Sequence, residues 1–557
     1  MADTRHWVLQ PLQLEAGAGC EALYWRRHGP GNSWATVQDP RRILCGSTLS
    51  LDSFCNSFFA AYWLELTVLD QVLIRLETTG YCRLRVIRAG ADGQRETVVS
   101  REISGDNIST ECKVALRPAV APPGRLFIEI DALAGSVILH EGHWGTAAKP
   151  TRPVRLALAT CCYAAGEMVL ETLRRLAPTI LSDTRIVQVI VVDQAPDSAH
   201  SPLPIGELAA SHGIESRLQY VRQPNLGGSG GFARGMIEAL AADATHVLLM
   251  DDDIRLDPNV IVRLVAILGY LEHPVTLGGQ MLDMTDPLRL HASHENVEPE
   301  AFRLRNPCHG MRLDEPDTLD AFAIVHRSDY AGWWFCCIPT VTIEAAGLPL
   351  PLFVRHDDVE FGLRTSAMGS ASWAMPGLFV WHASSAARPA PTYAYYDHRN
   401  RMIAAMLHGN VTADRLADQH AGATQNALLA GRLDLCLALC RAADDFLSGP
   451  EKAFAGLEAR HQRLVGDLAR ALLLSVAAER LARQGGSAAR SSVTQRIDGL
   501  CKTLQEERNR TVLALTQHAE DAGRRYRTEA GQHSDATKWR SLFNEMDASG
   551  GTHETLA

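Results

Sequence analysis

The stretch "THVLLMDDDIRLDPNV", residues 245–260, decides the fold of this chain. A short apolar run, residues 247–250, leads directly into three aspartates, Asp251, Asp252 and Asp253. An apolar run of this length that ends in polar residues is typical of a buried β-strand. Adjacent carboxylates repel each other, and desolvating them is unfavourable unless a partner offsets their charge. The stretch therefore predicts a strand with a charge-binding site at its carboxyl end.

The spacing of the aspartates indicates what offsets their charge. In an extended chain alternate residues face the same side, so Asp251 and Asp253 converge while Asp252 points elsewhere. Such a carboxylate pair suits Mg²⁺ or Mn²⁺, which keeps its remaining positions for water and phosphate oxygens. The alternative is a solvated acidic turn in which Asp257 caps the next helix. The buried run before the aspartates favours the metal site.

Strand-like and helix-like segments alternate in the chain that leads to this stretch. The predicted strands are residues 154–160, 185–193, 218–223 and 246–250, and the predicted helices are residues 167–177, 204–212 and 230–242. This alternation predicts a parallel, Rossmann-like sheet with helices on both faces. Ligands of such sheets bind beyond the carboxyl ends of the strands. Asp193 and the three aspartates all lie at such ends.

Two further regions flank this α/β domain, which we assign to residues 149–400. Residues 1–148 have short β-branched runs separated by turns, with Leu126, Ile128 and Ile130 on one side of a strand, and predict an antiparallel β-sandwich. Residues 401–557 have helical periodicity and predict a helical bundle or an oligomerisation surface. Within this region we expect a flexible break at 485–492 and a frayed tail at 548–557.

Composition excludes several classes of protein. The 557 residues carry a net charge of −10 with a pI near 6.1, and no basic face indicates nucleic-acid binding. The 13 cysteines include no paired Cys-x-x-Cys set, as expected for free thiols in a reducing compartment. There is no signal-peptide pattern, and no apolar run approaches the ~20 residues of a membrane span. We expect a cytoplasmic protein, or one attached peripherally to the inner face of the membrane.

The glycine-rich stretch "PNLGGSGGFARGM", residues 224–236, raises a different possibility. Gly228, Gly230 and Ala233 fit the G-x-G-x-x-A fingerprint of dinucleotide-binding folds, with Asp251 at a suitable distance. That fingerprint belongs on the first βα turn, whereas this stretch follows the third predicted strand. The alternative interpretation is close packing of a helix on a strand through small residues, with Asn225 in a turn.

A second acidic stretch, "RHDDVEFGLR", lies at residues 355–364. One interpretation is a capping box, in which Asp357 caps a helix and Glu360 reaches back to it. Asp358 would then lie in the first turn, where free backbone N–H groups favour an ionised carboxylate. An ionised carboxylate at the edge of a pocket is a candidate general base.

Three other motifs offer polar or aromatic groups. His382 ends a predicted strand and could be the third ligand of the metal, since a neutral imidazole suits Mn²⁺. Trp333 and Trp334 are adjacent, and although tryptophans are usually in the core, an exposed indole can pack on a sugar ring. The stretch "HASHE" contains His291 and Glu295 but is not the H-E-x-x-H zinc motif.

Taken together, six stretches resemble the polymerising galactofuranosyltransferases of bacterial galactan synthesis, which are inverting GT-A enzymes of glycosyltransferase family 2. They are "NLGGSGGFARGM" (225–236), "MDDDI" (250–254), "GWWFCCIP" (332–339), "RHDDVEFGLR" (355–364), "VWH" (380–382) and "YYDHRN" (395–400). Their order and rough spacing match the family. The resemblance covers nearly the whole chain and implies an N-terminal β-sandwich, a GT-A catalytic domain and a C-terminal helical region.

The resemblance also implies the chemistry. The donor would be UDP-galactofuranose, and the acceptor a growing, lipid-linked galactan or another cell-surface glycan. The implied residues are, for the metal, Asp251, Asp253 and His382; for the base, Asp358; for the donor, Asp193, Asn225 and Asp252; and for the acceptor, Trp333, Trp334, Asp357, His291 and Glu295. A homo-oligomer could form through the C-terminal helices.

A rival hypothesis is a non-catalytic carbohydrate-binding or scaffold protein, in which the sandwich binds glycan and the α/β domain is inert. A dinucleotide-binding oxidoreductase is a further alternative. Metal-dependent turnover of a UDP-sugar distinguishes the transferase from both, since an inert domain has no use for Asp251, Asp253, His382 and Asp358 as a set.

Overall fold

A computed structural model describes residues 6–17, 19–29, 39–118, 122–163, 166–196, 204–383, 390–484 and 490–544. Most of the expected flexible break at 485–492, and all of the expected frayed tail at 548–557, lie outside the described residues. Among the described helices, none is long and apolar enough to cross a membrane.

The N-terminal region is an antiparallel sheet with one short helix. Its elements are β1 (Trp7–Pro11), β2 (Arg26–His28), β3 (Arg42–Ile43), β4 (Thr48–Ser50), α1 (Ala60–Leu66), β5 (Gln71–Ala89), β6 (Arg95–Ala115) and β7 (Arg125–Thr146). In the described part of this region seven strands form one hydrogen-bonded sheet, in the order β2-β4-β7-β5-β6, with β1 and β3 also paired to β7. The β-rich region that we expected is therefore present, and its strands are joined in a single sheet.

Alternating side chains and glycine bulges shape the three long strands of this sheet. Leu126, Ile128 and Ile130 on β7 are buried on one face, as the sequence pattern predicts. Near the middle of β5, Gly80 adopts φ +112° beside a register shift, and a Cβ there would lie 2.7 Å from the carbonyl oxygen of Ser136. A bulge of this kind bends a strand and increases its twist.

The second sheet belongs to the α/β domain. Its elements are β8 (Leu156–Cys162), α2 (Gly166–Ser182), β9 (Ile186–Asp193), α3 (Ile205–His212), β10 (Leu218–Arg222), α4 (Gly227–Ala241), β11 (His246–Met250), β12 (Ile254–Arg255), α5 (Pro258–Leu268), β13 (Thr276–Asp283), β14 (Leu290–Ala292), β15 (Asn296–Glu298), β16 (Arg303–Arg305), α6 (Pro316–Ala321), β17 (Phe335–Pro339), α7 (Thr340–Ala346), α8 (Asp357–Ala367) and β18 (Ser372–His382).

The order of strands in this sheet explains where a ligand can bind. Over the described residues the order is β10-β9-β8-β11-β17-β13-β18-β12, with β14 on β13 and the small β15–β16 pair separate. The first four strands are parallel, as the sequence predicts, and the strand order reverses between β8 and β11. Parallel α/β sheets bind ligands at such a reversal, beyond the carboxyl ends of the strands.

The rest of the sheet is mixed, which the sequence did not predict. β17 runs antiparallel to both β11 and β13. The reason is the connection before it: residues 284–334 form an excursion with short strands and one short helix, and the chain re-enters the sheet at the same edge that it left. This excursion contains His291 and Glu295 and lies on the same side of the sheet as the aspartates.

The glycine-rich stretch packs a helix on a strand. A Cβ on Gly231 would lie 2.4 Å from the Cβ of Cys161, and one on Gly235 would lie 2.8 Å from the Cβ of Ala159. Both contacts are with β8, so these glycines let α4 approach the sheet closely. The side chain of Asn225 accepts a hydrogen bond from the backbone N–H of Gly227, which places it in the turn before α4. The geometry thus favours the packing interpretation over a dinucleotide site.

The two sheets share one hydrophobic core. A continuous cluster of buried side chains extends from Leu9 in β1 to Trp381 in β18, and the rings of Phe54 and Phe379 meet edge to face with centroids 5.3 Å apart. A buried ion pair also crosses the boundary, because the fully buried Arg125 donates to Asp320 of α6. The predicted boundary at residue 148 therefore lies between β7 and β8 along the chain. It does not divide the protein into two regions with independent hydrophobic cores.

The C-terminal region is helical, as expected. It contains α9 (Pro391–His408), α10 (Ala413–Leu429), α11 (Leu433–Leu447), α12 (Pro450–Ala453), α13 (Leu457–Gln484), α14 (Arg490–His533) and α15 (Ala536–Asn544). The predicted boundary at residue 400 falls inside α9. Apolar side chains of α13, including Val465 and Leu473, are exposed, and an oligomer through these helices stays a prediction.

Candidate active site

Three of the predicted ligands meet at the edge of the sheet. Asp251 and Asp253 follow β11, and β12 then pairs with the end of β18, so that Ile254 lies opposite His382. The Nε2 atom of His382 is 2.8 Å from Oδ1 of Asp253 and 3.5 Å from Oδ2 of Asp251. Among the side chains that the structure describes, this is the one group of three whose ligand atoms all lie within 4.8 Å of one another. The convergence predicted from the D-x-D spacing is therefore present.

The donor set fits a divalent cation. The Nδ1 atom of His382 lies 2.8 Å from the carbonyl oxygen of Ala383, so Nδ1–H donates to that carbonyl and Nε2 faces the carboxylates. A histidine held by a carbonyl in this way presents its Nε2 lone pair to a metal. Two carboxylates and one imidazole are ligands that Mn²⁺ and Mg²⁺ accept, with Mn²⁺ the better match for nitrogen.

The charges of this group explain how three adjacent aspartates are tolerated. Burial disfavours protonation of His382, but hydrogen bonds to Asp251 and Asp253 raise its pKa to about 10. Burial opposes ionisation of Asp253, and the hydrogen bond from His382 nevertheless lowers its pKa. Asp252 is not one of the three converging groups, and burial, followed by repulsion from its two neighbours, raises its pKa to about 7. The positive charge that these contacts favour on His382 offsets the two carboxylates.

The second acidic pair begins α8. The backbone of His356, which precedes the helix, is left-handed with φ +59°. Asp357 accepts a hydrogen bond from the hydroxyl of Ser229 at 3.0 Å, a contact that the sequence did not reveal. Asp358 Oδ1 accepts from the backbone N–H of Val359 at 2.8 Å. Asp357 therefore lies against the N-terminus of α4, and Asp358 lies in the first turn of α8.

The capping box that we expected at Asp357 and Glu360 is wrong. Glu360 is fully buried and pairs with the guanidinium of Arg364 at 3.0 Å and with His408 at 3.2 Å. Two positively charged or polar partners stabilise a buried carboxylate better than one backbone N–H can. Burial opposes ionisation of Glu360, yet the Coulomb attraction of Arg364 lowers its pKa to about 2.

The expected ionised state of Asp358 also needs correction. Burial, followed by repulsion from Asp357, raises the pKa of Asp358 well above its usual range. Burial likewise raises the pKa of Asp357, although the bond from Ser229 opposes the rise. Desolvation therefore outweighs the first-turn N–H groups on which the sequence argument relied. A raised carboxylate pKa still suits a general base, which works best near the operating pH.

Glu295 belongs to the same acidic group. Burial raises its pKa to about 8, with Asp358 as the next cause, and Tyr330 donates a hydrogen bond to Oε1 of Glu295 at 3.1 Å. The preceding residue, His294, is buried with φ +53°, and its Nε2 lies 2.8 Å from the hydroxyl of Tyr62 in α1. Sequence reasoning identified Glu295 but neither Tyr330 nor Tyr62. His291 is half-buried on β14, with its ring edge-on to that of His309.

The two adjacent tryptophans differ in how much of each side chain is exposed. Trp333 is 5% exposed and its ring packs edge to face with Phe232 and Phe361, and its role beside the acceptor stays a prediction. Trp334 is half-buried, and its indole N–H donates to the carbonyl of Gly279 at 2.9 Å. A role for Trp334 beside a sugar stays a prediction.

Asp193 lies at the carboxyl end of β9, as predicted. It is 4% exposed, and it accepts hydrogen bonds from the hydroxyl of Tyr220 at 2.6 Å and from the backbone N–H of Ala195 at 2.9 Å. The carboxylate thus fixes the loop after β9 beside the reversal of strand order. Contact of Asp193 or Asn225 with a donor stays a prediction.

Comparison with known proteins gives the family. Residues 20–147 match the family model "Galactofuranosyltransferase 2 N-terminal", and residues 153–404 match "Glycosyltransferase like family 2". Galactofuranosyltransferase GlfT2 of Mycolicibacterium smegmatis is 33% identical over 438 residues, which cover 74% of this chain and 66% of that protein. GlfT2 of Mycobacterium tuberculosis is 32% identical over 444 residues, covering 76% and 69%. The chain thus spans about two thirds of the length of these curated relatives.

Solved structures give a weaker likeness. A crystal structure of GalNAc-T7 with UDP, GalNAc and Mn²⁺ is 10% identical with a TM-score of 0.34, over 46% of this chain and 48% of that one. The mannosyltransferase PcManGT from Pyrobaculum calidifontis, in complex with GDP-Man and Mn²⁺, is 15% identical with a TM-score of 0.30, over 68% and 88%. These scores are too low to support an inference about ligands.

Proposed function

Because this chain belongs to the GlfT2 galactofuranosyltransferases of glycosyltransferase family 2, we propose that it transfers galactofuranose from UDP-galactofuranose to a growing galactan or other cell-surface glycan. The observation that carries the proposal is the meeting of Asp251, Asp253 and His382 at the reversal of strand order. The buried Asp357 and the half-buried Asp358 begin a helix beside it.

In this proposal the trio holds Mn²⁺ or Mg²⁺ together with the donor diphosphate. The ion, when bound, neutralises charge that develops on the leaving UDP. Asp193, Asn225 and Asp252 lie on the donor side, where the turn before α4 and the end of β9 converge. Since His382 and the two aspartates offset one another's charge when no metal is bound, the site is preorganised and needs no large rearrangement.

Asp358 is the proposed general base. It accepts the proton of the acceptor hydroxyl, the oxygen attacks the anomeric carbon from the face opposite UDP, and the configuration inverts in one displacement. One base is sufficient, since no covalent enzyme intermediate forms. We propose that Glu295, whose pKa burial raises to about 8, and Tyr330, which donates to it, lie on the acceptor side. Trp334 and His291 line the same side in this proposal.

The acceptor is proposed to be lipid-linked, with the enzyme in the cytoplasm or peripheral on the inner membrane face. The non-catalytic scaffold remains the alternative from another class. One experiment separates the two: a panel of UDP-sugars with Mn²⁺, scored for UDP release with and without a galactan-like acceptor. We expect acceptor-dependent release from UDP-galactofuranose above all other donors. Glycan binding without UDP release from any donor would support the scaffold instead.

A further inference from the structure

The stretch "YYDHRN", residues 395–400, lies on α9, and neither the metal site nor the proposed base explains it. Its last residue, Asn400, is fully buried. The Nδ2 atom of Asn400 lies 3.0 Å from the carbonyl oxygen of Leu352, 2.9 Å from that of Val354 and 2.8 Å from that of Arg355. The amide of one side chain thus donates hydrogen bonds to three backbone carbonyls of the loop that precedes Asp357 and Asp358.

That loop follows an unusual path. Phe353, Arg355 and His356 have φ values of +73°, +72° and +59°, so three non-glycine residues within four positions are left-handed. This conformation is unfavourable for residues with a Cβ and persists only where surrounding contacts impose it. It also turns backbone carbonyls away from any regular partner, and buried carbonyls need hydrogen-bond donors. Asn400 supplies those donors.

The orientation of the Asn400 amide is fixed by its neighbour. Its Oδ1 accepts from Nε of Arg399 at 2.9 Å, and Nη2 of Arg399 donates to the carbonyl of Leu352 at 2.8 Å. The fully buried Arg399 guanidinium lies over the rings of Tyr395 and Tyr396. The amide therefore cannot exchange its oxygen and nitrogen without losing these bonds.

The loop also contacts α4, and through Ser229 of that helix it is linked to Asp357, the residue that precedes the proposed base. The carbonyl of Phe353 accepts from the backbone N–H of Ser229 at 3.1 Å, and the hydroxyl of Ser229 donates to Asp357. A Cβ on Gly227 would lie 2.0 Å from that same carbonyl, so α4 begins against the loop at the closest possible approach. The path of residues 352–356 thus fixes both the start of α8 and the turn that carries Asn225.

We infer that Asn400 is a positioning residue: it holds the left-handed loop 352–356 so that Asp358 faces the acceptor. This inference rests on the proposed transferase function and deepens it. Asn400 touches neither donor nor acceptor, and its effect passes through three backbone carbonyls. Loss of its two N–H donors releases the loop and rotates the first turn of α8, while Asp251, Asp253 and His382 keep their geometry on other elements.

The test is the variant Asn400→Asp, which keeps the shape and the acceptor for Arg399 but removes both donors. We expect kcat for sugar transfer to fall at least 10-fold, with the KM for the UDP-sugar and the affinity for Mn²⁺ within 2-fold of the wild-type values. The control is Leu504→Ala, a cavity variant on α14 in a separate buried cluster that contains no residue of the loop or of the 395–400 stretch. It should lower the melting temperature without changing kcat.

The outcomes separate cleanly. Unchanged kcat in a folded Asn400→Asp protein overturns the positioning role, as does a fall in donor and Mn²⁺ affinity that parallels the fall in kcat. If that variant does not fold, Asn400→Ser, which keeps one donor, is measured instead against the same two criteria. A wild-type protein that transfers no sugar from any UDP-sugar refutes the proposed function itself, and is recognised before any variant is compared.

Discussion

Nε2 of His382, the last residue of β18, lies 2.8 Å from Oδ1 of Asp253, the third aspartate after β11. The end of β18 and the turn after β11 thus bring these two side chains together, although the two strands are separated in the sheet by β17 and β13. Opposite charges hold the contact when no metal is bound, and the same atoms can ligate a cation. This is the geometry from which the catalytic proposal starts.

The first prediction concerns the metal. In a crystal structure with UDP and Mn²⁺, one oxygen from each of Asp251 and Asp253 and Nε2 of His382 should lie within ~2.0–2.6 Å of the ion. The physical reason is that a cation replaces the proton shared by the three groups. A His382 side chain that points away from the ion in that complex would show that the trio is wrong. His309→Gln, a change of a nearby histidine outside the trio, should leave Mn²⁺ affinity unaltered.

The second prediction concerns the base. Asp358→Asn is nearly isosteric but cannot accept a proton, and it should reduce the rate of sugar transfer at least ~10²-fold. Donor and metal affinity should stay near wild type, because Asp358 lies outside the ligand trio. Asp357→Asn is the matched control: an amide oxygen can still accept from Ser229, so most activity and stability should remain. If Asp358→Asn transfers sugar at nearly the wild-type rate, Asp358 is not the base, and Asp357, Glu295 and His291 are the next candidates.

The third prediction concerns pH. Burial and the neighbouring Asp357 raise the pKa of Asp358, and only its deprotonated form can act as a base. The transfer rate should therefore fall as pH decreases through the raised pKa, about tenfold per pH unit well below it. In Asp357→Asn one negative neighbour is lost, so the pKa of Asp358 falls and the acid limb moves to lower pH. A limb that moves to higher pH, or stays in place, contradicts the proposed coupling.

The fourth prediction links the N-terminal sheet region to the acceptor. Tyr62→Phe removes the hydroxyl that bonds to the buried His294, and an unsatisfied buried group costs about 1–3 kcal/mol. Because His294 precedes Glu295, we expect a raised KM for the acceptor and altered product length, with donor affinity unchanged. Tyr81→Phe removes an exposed hydroxyl from the same sheet and should change none of these quantities. Equal product profiles from both variants would show that the Tyr62 contact has no functional role.

A separate role for the N-terminal region must be tested by point substitutions of this kind. Leu9, Phe54 and Trp144 belong to the same buried cluster as Phe379 and Trp381. Deletion of residues 1–148 would expose that cluster and unfold the α/β domain. A truncated protein therefore cannot distinguish glycan binding from structural support.

Features of the site that depend on residues close together in the sequence were predictable, and contacts between residues far apart in the sequence were not. Asp251 and Asp253 were predicted together from the twofold repeat of an extended chain, whereas in the structure Asp252 and Asp253 lie in a turn after β11, so the pair meets for a different local reason. The helix-packing glycines also follow a local spacing. Tyr62 and His294 are 232 positions apart, and nothing local to either residue indicates that they meet.

Competition between partners explains the remaining features that the local sequence did not predict. A capping box is a sound local expectation for Asp357 and Glu360, but His408 arrives from α9 and competes for the carboxylate of Glu360. Adjacent tryptophans give no indication of which one is covered, and Phe232 and Phe361 cover Trp333. The antiparallel β17 was not predicted because the excursion before it has no helix–strand period. Each of these features depends on a contact that the local sequence does not contain.

The measurement that tests the central claim most directly is the structure of the product formed from UDP-galactofuranose, Mn²⁺ and a galactan-like acceptor, determined by NMR. The account predicts new galactofuranosyl linkages whose anomeric configuration is opposite to that of the donor. These linkages should be absent when EDTA is added. They should also be absent when the Asp358→Asn variant is assayed for the same time as the wild-type protein. Retained configuration, or equal product with EDTA, would contradict a metal-dependent inverting transfer that uses Asp251, Asp253, His382 and Asp358.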